Sequence, residues 1–400
     1  MAGSEAPEKS GLTRFAGIDV ARHTHFVAVV DESLAVLVKP TAITEDAVGY
    51  QKLIALLGSP AGLLVVMEAT GHYWRNLFGF LCARGFTCAV VNPVRIRHFA
   101  KVDLRRAKTD RTDALTIARF GAQKRPQPLP PRDPVLDNLR ALVHLQQRLR
   151  QDFADRMRQI HRLLVLVFPE FTQVVRTLES QRATVLLRHY PSAQAFRQAE
   201  LHQIARLRAG RYSVGASIAA SLSSAARTSV AQHHSAGYDT AVRTFCADLD
   251  TLRLSLRQLD AEILNNVQEH PLTAPLLSIE GLGTLTIARL LSRLGDPARF
   301  RSAAALASYV GVVPATQQSG QSRPARAPVS PLGNADLRAE LWMPTLVAIK
   351  RNAWLRAHYQ RLVARGKPPK LAIVASMRKL LVAIYAVAKS RSPFVPRVEP

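Results

Sequence analysis

The first 120 residues carry five short apolar runs, each cut off by a charged residue, a glycine or a proline. That pattern limits what this part of the chain can become. "RFAGIDVARHTHFVAVVDES" gives one run, a polar break and a second run, as a hairpin requires, and "AVLVKP" supplies a third strand. "TEDAVGYQKLIALLGS" opens on a Thr/Glu/Asp start and continues with helical apolar spacing. "GLLVVMEATG" reads as a buried strand ending at Glu68. "HYWRNLFGFLCARG" reads as a helix stopped by Gly85, and "FTCAVVNP" as a buried strand stopped by Pro93.

Three strands, helix, strand, helix, strand, helix is the order of an RNase-H-like α/β domain. In that order the first and fourth strands are neighbours at the sheet centre. Asp19 lies in the first, between Ile18 and Val20, and Glu68 closes the fourth. A lone carboxylate on a buried strand is costly unless it is paired or binds metal. Two more carboxylates, Asp110 and Asp113, share a helical face in "AKTDRTDALTIARF". Their neighbourhood is strongly basic: from Arg95 to Arg125 there are ten Lys or Arg and only three Asp. Thr109 or Asp110 as an N-cap, with Asp113 in the first turn, accounts for this pair alone. It leaves Asp19 and Glu68 unexplained. Four converging carboxylates call instead for two divalent cations, Mg²⁺ with Mn²⁺ as a substitute, about 4 Å apart. The basic residues around them, Arg95, Arg97, Lys101, Arg105, Arg106, Lys108 and Arg111, are candidate phosphate contacts.

Composition narrows the partners. Lys plus Arg total 54 against 29 Asp plus Glu, a formal charge of +25 spread along 400 residues. A chain this basic meets nucleic acid or an anionic membrane. The most apolar stretch, Leu371 to Ala388, carries Arg378 and Lys379 at its middle, so a buried helix is expected there and no membrane partner. Three cysteines make neither a disulfide framework nor a zinc motif, which suits a reducing cytoplasm. "MAGSEAPEKSGL" has no apolar signal core and reads as a short tail.

After the proline-rich "GAQKRPQPLPPRDP" the spacing changes. Apolar residues fall at 145, 149, 153, 157, 160 and 164, and again at Phe245, Leu249, Leu252, Leu256, Leu259, Ile263 and Val267. Each run is a heptad seam. Two long helices running out and back as a coiled-coil arm are expected, the alternative being two core helices of a helical domain. Residues 170 to 240 then form helical material at the far end. From Pro271 the chain is mostly helical, and "LLSIEGLGTLTIARLLSRLGD" has the pattern of a helix-hairpin-helix. The turn amides at Gly281 and Gly283 would bind phosphate without reading bases. A tight αα turn has the same pattern. The long polar loop "VVPATQQSGQSRPARAPVSPLGNADLR" follows. There is no zinc finger, basic zipper or clear recognition helix, so sequence specificity has to come from elsewhere.

"GIDV", "MEATG", "VNPVRIRHFA" and "AKTDRTDA", in this order, resemble the DEDD transposases of bacterial insertion sequences. More narrowly, the chain resembles the IS110 family, the bridge-RNA-guided recombinases. The likeness continues in "IEGLG", "ASYVGVVPATQQSGQS" and "GNADLRAELWMP". It implies a RuvC-like fold with Asp19, Glu68, Asp110 and Asp113 as its metal-binding tetrad. It also implies a nucleophile, matched by Ser319 in "QQSGQS", that attacks DNA and holds one strand as a phosphoserine ester. From the residues alone Ser322 and Ser330 are rivals. The family's usual Ser-Lys-x-Gly-Asn is here Ser330-Pro331-Leu332-Gly333-Asn334. Arg323 and Arg326 are candidates to replace the missing lysine as phosphate clamps.

The resulting layout is a flexible tail (1–13), a RuvC-like nuclease domain (14–125) and a Pro-rich linker (126–136). A coiled-coil arm with a helical insert (137–270), a C-terminal transposase domain with the serine loop (271–392) and a second tail (393–400) complete it. The implied partners are donor and target DNA, a structured non-coding bridge RNA and further copies of the chain, as a dimer or tetramer. The implied location is the bacterial cytoplasm, at the nucleoid. The competing readings are a junction-resolving nuclease that only hydrolyses, a nucleic-acid-binding protein without chemistry, and an actin-like sugar kinase, whose fold also opens on "GIDV".

Overall fold

The computed structural model describes residues 11–102, 110–130, 133–313 and 333–396, with backbone alone for 101, 102 and 110–112. It is a mixed α/β chain of two compact units, 1–133 and 134–400. The first holds a five-stranded sheet: β1 (Arg14–Asp19), β2 (Thr24–Asp31), β3 (Val36–Thr44), β4 (Leu63–Glu68) and β5 (Thr87–Val91). Their order is β3-β2-β1-β4-β5, with β1 antiparallel to β2 and parallel to β4, and β4 parallel to β5. The first and fourth strands are neighbours at the sheet centre, as the RNase-H-like element order led us to expect.

The central strands are buried on both faces, so they read as continuous apolar runs. On one face Ala16, Ile18, Val65 and Met67 meet Leu53 and Leu57 of α1 (Ala47–Leu57). Leu77, Phe78 and Leu81 of α2 (Trp74–Cys82) complete that layer. On the other face Phe15, Leu64, Val66 and Val91 meet Ile96 of α3 (Pro93–Val102). Ile117, Ala118 and Phe120 of α4 (Asp110–Lys124) cover the rest. Each fully buried large side chain contributes roughly 1.5–3 kcal/mol over its exposed state. Asp46 starts α1 by accepting the Gly49 amide at 2.7 Å, the cap expected of a Thr/Glu/Asp opening.

Several boundaries move. Thr13 N–H donates to Gly62 O at 2.9 Å and Leu12 packs on the second layer, so both belong to the domain and not to the tail. In the stretch expected to be a Pro-rich linker, Leu129 N–H donates to Cys88 O at 2.8 Å and Leu129 packs on the first layer. The helix α5 (Pro134–Val167) takes in the last residues of that stretch. At the other end Phe394, expected in a tail, bonds Ser278 Oγ through its amide at 2.6 Å and stacks edge-on with Trp354.

In the second unit α5 and α11 (Ala236–Gln268) pack antiparallel, joined by Asn138–Asn266, Gln146–Asp260 and Arg156–Asp248 contacts. Each helix reaches about 50 Å and joins two apolar cores. The far core is built on α6 (Phe171–Val174), α7 (Gln181–His189), α8 (Ala193–Gln198), α9 (Leu201–Arg206) and α10 (Ala216–Arg227). It includes an element not anticipated in helical material, the hairpin β6 (Arg208–Ala209) and β7 (Tyr212–Ser213). The near core gathers α12 (Thr273–Leu277), α13 (Thr284–Leu294), α14 (Ala303–Val310), α15 (Ala335–Arg351), α16 (Ala353–Ala364) and α17 (Pro369–Ser390). α17 is long and apolar enough to cross a membrane, yet Met377, Leu380, Leu381 and Ile384 sit in this core.

The α5 seam is only partly where its spacing put it. Ile160 and Leu164 are buried and Leu149, Phe153 and Met157 half-buried, but Leu145 is 46% exposed. Near the root the buried stripe is Leu136, Leu139, Val143 and Gln146. There α5 packs against α13 as well as α11, and the third helix turns its buried face. On α11 Leu249, Leu259, Ile263 and Val267 are buried as expected. Phe245, at the rim of the far core, and Leu252 and Leu256 are only half-buried.

Candidate active site

β1 and β4 run parallel in the register Ile18 to Met67, so the next residues, Asp19 and Glu68, end adjacent strands level with each other. Such strands lie about 4.8 Å apart. Side chains alternate along a strand, so Asp19 shares a face with Phe15 and Gly17, and Glu68 with Leu64 and Val66. That is the face α4 covers. Both carboxylates are half-buried, and the Thr70 hydroxyl donates to Glu68 Oε1 at 3.3 Å.

Helix α4 runs against β1. Gly121 lies over Phe15 and Val66, while Ala114 and Ala118 lie over Gly17. Continuing toward the helix N-terminus, the same stripe passes Asp113 and Asp110 and arrives at the strand end that carries Asp19. The close approach depends on small residues. A Cβ on Gly17 would stand 2.8 Å from Ala118 Cα and nearer still to backbone atoms of Ala114 and Ala118. Asp113 is half-buried, and only the backbone of Asp110 is described. The fold thus brings four carboxylate-bearing backbone positions to one sheet edge. Among the described residues no three His, Cys, Asp or Glu side chains cluster closely enough to hold a metal, and the Asp110 side chain is not among them. An all-oxygen donor set of this kind fits Mg²⁺ or Mn²⁺ and no softer metal.

The loop after Asp19 is held from behind. The Ala21 amide donates to His25 Nδ1 at 3.3 Å, so Nε2 carries the proton that faces Glu45 Oε2 at 2.5 Å. His25 is 1% exposed. The Tyr50 hydroxyl and Asn76 amide also donate to Glu45, at 2.7 and 3.3 Å, and the Glu45 amide donates to His23 O. Burial raises the Glu45 pKa, but the bonds from His25, Tyr50 and Asn76 outweigh it and leave the carboxyl below its ordinary value. The Tyr50 phenol is pushed up by burial and by Glu45.

Of the basic set, Arg95 and Arg97 are exposed on α3, with Arg95 over the Phe120 ring and Phe99 edge-on to that ring. Asn92 Oδ1 accepts the Val94 amide at 2.8 Å and starts this helix beside the end of β5. Lys101 and Arg111 are described by backbone alone, and Arg105, Arg106 and Lys108 lie outside the described residues. So do Ser319, Ser322, Ser330, Arg323 and Arg326. The two turn glycines differ. Gly281 has φ +108° and would place a Cβ 2.6 Å from Ala348 Cα, so its lack of a side chain serves packing on α15. Gly283 opens α13 with open space beside it, and α12 before it is a single turn.

Three positioning residues, Gly17, His25 and Asn92, were not singled out from the sequence. A glycine inside an apolar strand and an Asn-Pro pair after one are the signals that could have found Gly17 and Asn92. His25 left no local signal, since its partner Glu45 is twenty residues away.

This arrangement is that of the RNase-H-like, DEDD class of transposase. A DEDD transposase model of the IS110 type matches residues 16–169, and one described as "Transposase IS116/IS110/IS902 family" matches residues 273–360. The pilin gene-inverting protein of Moraxella bovis is 26% identical over 391 residues, covering 96% of this chain and 98% of its own length. The 43.6 kDa protein of insertion element IS110 from Streptomyces coelicolor is 26% identical over 394 residues, 96% of each chain. From the same organism, the mini-circle protein given as a candidate transposase for IS117 is 31% identical over 340 residues, 78% of this chain and 79% of its own. The chain belongs to the IS110 family of transposases, which are DNA strand-transfer enzymes.

Proposed function

We propose that this chain cuts and rejoins DNA strands for an insertion sequence, using two Mg²⁺ on Asp19, Glu68, Asp110 and Asp113, and Ser319 as nucleophile. The observation that supports the reading is the parallel β1–β4 register, which ends both strands in carboxylates on the face that α4 covers. Bound there, the metal would supply Lewis acidity toward a phosphodiester. Asp19 and Glu68, fixed on buried strands, hold their positions without reorganisation as charge develops. Arg95 and Arg97 on α3 draw the DNA backbone in without reading bases.

Ser319 Oγ forms a bond to a strand phosphorus, its proton leaving to water, while a deoxyribose hydroxyl departs with a proton gained. Attack by the hydroxyl of a second strand reverses these events and frees the serine, so the ester conserves the bond that hydrolysis would lose. A relative named for inverting a pilin gene favours rejoining, since inversion requires it. Site choice is delegated to a bridge RNA pairing with donor and target DNA, a reading that rests on the family likeness and on a +25 charge suited to phosphate backbones. The coiled-coil pairing of α5 and α11, phosphate binding at the Gly281–Gly283 turn, and dimers or tetramers belong to the same proposal.

The test is a denaturing gel of full-length protein incubated with Mg²⁺, the element's non-coding transcript and DNA carrying its joined ends. Protein-linked DNA is expected from the wild type and none from Ser319→Ala, which still binds DNA. An adduct persisting in Ser319→Ala but lost in Ser322→Ala moves the nucleophile. Free cut ends with no adduct from the wild type favour a hydrolytic nuclease.

A further inference from the structure

The far core of the second unit carries charge that the carboxylate site does not use. From Phe168 to Ser235 the chain has eight arginines, no lysine and three carboxylates. A cleft of about 370 Å³ opens there between the end of α6, the start of α7 and the β6–β7 hairpin. Sites that enclose a small organic group run roughly 300–1,000 Å³. Val175 and Ile218 make part of its wall apolar, and Arg176, Thr177, Arg182 and Tyr212 make the rest polar.

Two features single it out. Arg188 pairs with Asp250 at 3.0 Å and Arg197 holds the Ala226 and Ser229 carbonyls, but Arg176 and Arg182 have no hydrogen bond or ion pair with any described residue. Tyr212 is 73% exposed, a large aromatic held out into solvent. Its hairpin is stiff. Gly210, at φ +67°, makes the turn, and the Val214 and Gly215 amides donate to Leu207 and Ala205 carbonyls at 2.8 and 3.1 Å. The turn lies against α7, with the Gly210 Cβ position 3.3 Å from Gln181 Oε1.

We infer that this cleft binds an unpaired nucleotide of single-stranded nucleic acid, its base stacked on Tyr212 and its flanking phosphates on Arg176 and Arg182. An aromatic face accepts any base, and a base inside a duplex cannot reach it. Two free guanidiniums are the planar forks that phosphate oxygens match. Nothing in this inference depends on the tetrad or on Ser319.

The test measures equilibrium binding of full-length protein to a fluorescein-labelled oligouridine of about 12 nucleotides, the matching oligothymidine and a blunt duplex. Tyr212→Ala should weaken single-strand binding at least about fivefold and leave duplex binding within about twofold. Tyr212→Phe should restore it. Arg176→Gln with Arg182→Gln should flatten the salt dependence by about 1.4 in log–log slope. A 5-iodouracil probe should crosslink to Tyr212. A preference for uridine or thymidine would assign the occupant to RNA or to a displaced DNA strand, either within the inference. Unchanged binding by Tyr212→Ala, equal loss for single strand and duplex, or crosslinks only elsewhere would overturn it.

Discussion

Gly17 of β1 and Ala118 of α4 touch backbone to backbone, with no room at Gly17 for even a methyl group. That contact sets the height of α4 over the sheet and so the distance of its first backbone turn from the end of β1. Gly17→Ala has to lift the helix, because its neighbours there are main-chain atoms. We expect a loss of about 1–3 kcal/mol in the first unit, seen in urea unfolding followed through Trp74. Gly79→Ala on the exposed side of α2, where a Cβ meets nothing within 4 Å, is the control and should be neutral to stabilising. Equal effects of the two would refute the close-approach account.

The sheet and its carboxylates were legible for one reason: buried parallel strands must be apolar throughout, so Asp19 and Glu68 stood out against Ile18, Val20, Val66 and Met67. The α5 seam was less so. Leu145 fits a heptad but faces solvent, while Gln146 is buried between Asp260 and Arg289, because a third helix, invisible to local spacing, packs on the root. The β6–β7 hairpin left no period to read, having two residues per strand. His25 and Glu45 meet through the strand pairing alone.

Glu45 ties stability to pH. Its carboxyl lies below the ordinary value of 4.5, so the stabilisation is full above that value and is lost as pH falls through the lowered one. Thermal midpoints of the wild type should drop more steeply below about pH 4.5 than those of Glu45→Gln. Parallel curves would show that the His25–Glu45–Tyr50 set does not hold the loop after Asp19.

Along the α5–α11 pair Leu145 and Leu254 are exposed, at 46% and 58%, and Leu149 and Leu252 are half-buried. If these surfaces pair between copies, Leu145→Lys with Leu254→Lys should lower the mass found by light scattering while circular dichroism stays unchanged. An unaltered oligomer would move the assembly surface elsewhere.

The most direct measurement is Mn²⁺ binding by electron paramagnetic resonance, run with DNA cleavage on Asp19→Asn, Glu68→Gln, Asp110→Asn and Asp113→Asn. The wild type should bind about two ions per chain. Each variant should lose at least one ion and all cleavage, with a thermal midpoint equal to or slightly above that of the wild type, since like-charge repulsion is relieved. Full cleavage by any two of the four variants would contradict the shared carboxylate site.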